Sequence, residues 1–99
     1  MNLINLLYGK PLQLLIVEGL NTLNSKNLEK VSLSQISEII IDIRPELKAI
    51  INNSHEKQKL NKRILNTIKK LEAESLIKIE FITNKDINTT YYLIFTKIF

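Results

Sequence analysis

Apolar residues along this chain of 99 residues recur in two rhythms, one helical and one of strands. Leu12, Leu15, Ile16, Leu20 and Leu23 share one side of a helix expected from Pro11, at its first position, to about residue 23, with Leu14 and Val17 off that stripe. Ile36, Ile39, Ile40 and Ile43 mark a second helix over about 34–40. Leu60, Ile64, Ile68 and Leu71 recur at steps of four, four and three and mark a third, long helix opening at Ser54. After it, Ile77, Ile79 and Phe81 alternate with Lys78 and Glu80, the rhythm of a half-buried strand. Residues 90–99 form a second strand, dense in aromatic and β-branched side chains, and the Asn- and Asp-rich stretch 84–89 turns between them.

The shorter pieces fill the gaps. Residues 31–33 suit a short edge strand. Ser34 is a candidate N-cap for the second helix, and Ser32 with Gln35 offers a rival capping box. Pro45 breaks that helix and starts a short extra one with Leu47, Ile50 and Ile51 facing inward. Asn53 and Glu56 stand at capping-box spacing ahead of the long helix. Residues 1–8 are apolar but too short for a stable lone helix. They pack either on their own domain or, as an arm, on a second subunit. Together these elements predict an α+β fold of one domain over residues 1–99.

Charge changes the picture at one place. Between Lys57 and Lys70 lie six basic residues and no acidic one. Residues 55–78 carry seven basic and three acidic residues, a balance of +4, while 1–54 and 79–99 are each neutral. A neutral scaffold carrying one basic helix is the electrostatic pattern of a nucleic-acid reader. The opposing reading is a solvated lysine face, but such a face normally interleaves acidic partners at helical spacing, and this run has none.

Composition closes off other chemistries. With no cysteine there is no disulfide, thiolate nucleophile or Cys-based metal site. His55 is the sole histidine, so a transition-metal site is not expected, nor any cofactor. The two glycines, Gly9 and Gly19, make no phosphate-binding loop, and no nucleophile motif accompanies His55, so an enzyme is not expected. No apolar run approaches the ~20 residues of a membrane span, which leads to the expectation of a cytoplasmic, nucleoid-associated protein.

The run Ile68-Lys69-Lys70-Leu71-Glu72-Ala73-Glu74-Ser75-Leu76-Ile77-Lys78-Ile79 resembles the end of a winged-helix recognition helix entering the first wing strand. In that family an apolar residue, a basic pair and Leu-Glu precede two variable residues, Gly and Leu-Ile; here Ser75 replaces the Gly. Leu33-Ser34-Gln35-Ile36 resembles the family's second helix, and residues 9–20 weakly resemble its first. The chain departs from the family at residues 42–53, which intervene where a compact helix-turn-helix has only a few turn residues. The resemblance implies a single winged-helix domain with a helical core, a recognition helix over 54–75 and a two-stranded C-terminal β-hairpin wing over 76–98. It implies sequence-specific binding of double-stranded DNA, as a transcriptional regulator or as a plasmid or viral partition or replication-origin binder. A winged-helix protein–protein adaptor without DNA binding is the competing class.

On that reading Lys59, Lys62, Lys69 and Lys70 suit phosphates, being flexible point charges opposite the apolar stripe. Arg63, on the flank of the stripe, suits the O6 and N7 edge of guanine. Asn66 suits an adenine edge, or is simply solvated. Lys57 lies nearer the stripe and reaches a phosphate only from the helix start. Lys85 sits at the wing tip, within reach of a minor-groove phosphate or only of water. Tyr91 and Tyr92 suit core or interface better than base stacking. The surplus of apolar residues in 1–7, at Leu14 and Val17 and on both faces of 91–99 predicts a homodimer.

Overall fold

The computed structural model describes residues 3–84 and 89–98, and side chains from Asn5 to Glu80 and from Tyr92 to Ile98. The chain opens with a 3-10 turn, Leu3–Leu7, followed by α1 (Gly9–Ser25), β1 (Lys30–Val31), α2 (Leu33–Ile43), a second 3-10 turn (Pro45–Ala49), α3 (Ser54–Ala73), β2 (Ile79–Asn84) and β3 (Thr89–Phe95). It is an α+β fold.

All three apolar stripes face inward. Leu12, Leu15, Ile16, Leu20 and Leu23 of α1, Ile36, Ile39 and Ile40 of α2, and Leu60, Ile64, Ile68 and Leu71 of α3 are buried in one cluster. Burial of each such side chain favours folding by about 1.5–3 kcal/mol, which outweighs the modest helix propensity of the isoleucines. Leu47 of the second 3-10 turn is fully buried in the same cluster, with Ile50 and Ile51 packed against it. The residues between α2 and α3 therefore belong to the core. Leu6 and Leu7 are buried there too, so the end of the N-terminal segment packs on its own domain.

Several boundaries differ from expectation. Helix α1 begins two residues early, with Pro11 third in the helix, a position whose N–H has no intrahelical acceptor. Gly9 has φ +55, a backbone that favours glycine. Helix α2 begins at Leu33, because Ser32 and Gln35 close a reciprocal capping box, with bonds of 3.2 and 2.9 Å. Ser34 is therefore inside the helix. Asn53 caps α3, its Oδ1 accepting from the Glu56 N–H at 2.9 Å.

The expected two-stranded C-terminal hairpin is corrected. It is part of a three-stranded antiparallel sheet of order β1-β3-β2, with β3 central. In register, Ile94 of β3 stands between Val31 and Ile79. Beyond the ladder, the Phe95 N–H donates to the Lys78 carbonyl and the Thr96 N–H to the Glu29 carbonyl, each at 3.0 Å. Ile94 is fully buried, with Tyr92 and Ile98 packed against the core, so this face of β3 lies on the helices. On the other face, the Phe95 ring lies under Lys30 Nζ at 5.0 Å and Lys78 Nζ at 5.8 Å. Lysine stems, as well as any partner, can thus shield that face.

Candidate nucleic-acid interface

Helix α3 has 20 residues, about 30 Å of rod at 1.5 Å per residue. Its buried stripe fixes its rotation, and that rotation turns Lys59, Lys62, Asn66, Lys69 and Lys70 outward, all exposed. Five of the eight expected contact residues therefore share one solvent face. Lys85 lies outside the described residues.

The other two sit differently. Lys57 is half-buried and turned toward α2, with Nζ 3.8 Å from Glu38 Oε1. Arg63 leans toward the N-terminal segment. Its Nη2 donates to the Tyr8 hydroxyl at 2.6 Å, and its Cζ lies 4.3 Å from the centre of the Tyr8 ring. One aromatic side chain thus meets the guanidinium by both hydrogen bond and ring face. On the opposite border, Lys69 Nζ lies 5.4 Å from the centre of the Tyr92 ring on β3. The outer face of α3 runs between these two tyrosines.

Charge is uneven along that face. Near the start of α3, Lys57 meets Glu38, and Lys59 Nζ lies 3.6 Å from Glu56 Oε1. These exposed pairs add little stability, but they place carboxylates among the cations. Further along, Lys62, Lys69 and Lys70 have no ion pair among the described residues.

Beside this second half of α3 the start of α1 completes a groove of about 540 Å³. Gly9, Lys10 and Gln13 line one wall and Asn66, Thr67, Lys69 and Lys70 the other. A smaller hollow of about 180 Å³ shares Gly9, Asn66 and Thr67 with it and reaches Tyr8 and Arg63. Lys10, Gln13 and Tyr8 were not expected at the site. They lie some fifty residues from α3 in the chain, and no local spacing signals that contact.

Among the described residues there is no group of three or more His, Asp or Glu side chains placed to hold a metal ion. No helix among them is long and apolar enough to cross a membrane. Compared with family models, with curated proteins and with solved structures, the chain matches none.

Proposed function

We propose that this protein binds double-stranded DNA sequence-specifically, as a homodimer of winged-helix domains with α3 as the reading helix, and acts as a transcriptional regulator. The observation that carries the proposal is the set of cations on the outer face of α3, Lys62, Lys69 and Lys70, which have no ion pair among the described residues of a chain neutral outside residues 55–78. The order helix, strand, helix, helix, hairpin, with β1 beside β3, supports it, since that is the order a winged helix uses. The lysines then bind phosphates, while Asn66, and Arg63 once it parts from Tyr8, read base edges.

The adaptor reading has its own support: Lys57 and Lys59 already face carboxylates, and Arg63 is already engaged. Salt dependence separates the two readings. Three lysine–phosphate contacts per chain, about six per dimer, give a slope of log affinity against log salt of about −5. Replacing Lys62 and Lys69 together with Ala removes about four of these contacts and flattens the slope by about 3 to 4 units. The measurement is anisotropy of a labelled duplex pool across a salt series, with rounds of selection to test for a shared motif. A shallow parent slope, or a folded double variant that keeps the parent's slope, would replace the DNA reader with the adaptor.

A further inference from the structure

We infer that the DNA backbone runs through the groove between the start of α1 and the second half of α3, with Lys10 binding phosphate alongside Lys69 and Lys70. This rests on the DNA-binding proposal and specifies where on the molecule the duplex lies.

Three observations carry it. First, the groove brings together lysines from two elements: Lys10 from α1, and Lys69 and Lys70 from α3. None of the three has an ion pair among the described residues, and no acidic side chain lines the groove. Lys10 and Lys70 border the cleft with no carboxylate beside them, Lys69 stands at its outer edge with its ammonium 5.4 Å from the centre of the Tyr92 ring, and a polyanion is the complementary occupant. Second, the lining offers neutral donors to phosphate oxygens, the side-chain amide N–H groups of Gln13 and Asn66. The Thr67 hydroxyl donates to the Arg63 carbonyl at 2.9 Å, so the two amides supply the neutral donors of the groove. Third, the other end of α3 is electrostatically poorer. A phosphate strand crossing there meets Glu38 and Glu56 beside Lys57 and Lys59. The footprint therefore centres on residues 62–70 with the start of α1, and Lys57 falls outside it.

The test is the salt slope of duplex binding for Lys10→Ala, with Lys26→Ala as the control. Lys26 caps the far end of α1, about 24 Å away at 1.5 Å per residue. Both lysines are exposed, so both variants should fold, and circular dichroism checks this. With Lys10 the count rises to about eight contacts per dimer and the parent slope to about −7; Lys10→Ala should bring it back to about −5 while Lys26→Ala keeps the parent's value. If the parent binds duplex steeply and Lys10→Ala keeps that slope, this placement of the duplex is wrong and the DNA reading stands. If Lys10→Ala and Lys26→Ala flatten it equally, the effect is diffuse net charge and the groove is not a site. A shallow slope in the parent itself overturns the DNA reading and the groove with it.

Discussion

Ser75 holds a backbone conformation that its own Cβ opposes. Its φ is +61, in the left-handed region, and it ends α3 by a Schellman closure. The Leu76 N–H donates to the Leu71 carbonyl at 3.0 Å and the Ser75 N–H to the Glu72 carbonyl at 2.9 Å. Asn27, at φ +66, ends α1 in the same way, with the Leu28 N–H on the Leu23 carbonyl at 3.2 Å. Asn tolerates this region better than Ser does. Ser75→Gly should therefore stabilise the fold by about 1 kcal/mol, the relief of strain exceeding glycine's added unfolded-state entropy. Thermal melting should rise by about 4–8 °C; an unchanged or lower midpoint would mean that Ser75 is not strained. Residue-scale features of this kind were legible where the chemistry is local. Spacing points to Asn53 as a cap and offers Ser32 with Gln35 only as a rival to Ser34, and the resemblance marked position 75 as a glycine site. The bond from Arg63 to Tyr8 and the place of Lys10 join residues far apart in the chain, so neither leaves a local signal.

Among the elements, α1 and α2 approach closely at Gly19. Gly19 is buried in mid-helix, where glycine costs about 1 kcal/mol relative to alanine. A Cβ built there comes within 2.9 Å of Ile39 Cγ2, closer than carbon atoms pack. That methyl belongs to a buried, β-branched side chain with little rotamer freedom, so the helices themselves must move apart. Gly19→Ala should destabilise the protein by a net of about 1–2 kcal/mol, overpacking exceeding the propensity gain, as urea unfolding would measure. A stabilised variant would mean that the α1–α2 contact is looser than 2.9 Å suggests. Helix faces were legible because a 3.6-residue period maps directly to burial, and every residue of the expected α3 stripe is buried. Sheet partners were not, since a two-residue strand, Lys30–Val31, has too short a pattern to reveal that it pairs with Phe95 and Ile94.

At the scale of the whole molecule, packing removes one ground for a dimer and weakens another. Leu6 and Leu7 are in the chain's own core and need no partner, and the Phe95 ring already meets the ammonium groups of Lys30 and Lys78. The radius of gyration, 13.4 Å, is close to the ~13 Å of a folded chain of this length, with no projecting arm among the described residues. Deleting residues 1–8 would therefore remove core side chains and is a poor test of association. The outer side of α1 keeps its ground, with Leu14 59% exposed and Val17, one turn on, half-buried. Lys10 and Gln13 of the groove lie on this same side of α1, at helical spacing from Leu14 and Val17, so a homodimer formed here has to leave the groove mouth open if both copies of α3 are to reach one duplex, at successive major grooves about 34 Å apart. Light scattering at micromolar concentration should give about 23 kDa for the parent, twice the 11.5 kDa chain mass. Leu14→Glu should return 11.5 kDa as a folded chain, with apparent thermal stability lowered only by the lost association. A parent already monomeric at that concentration rules out the homodimer. A dimeric, folded Leu14→Glu keeps the homodimer but moves its interface off α1.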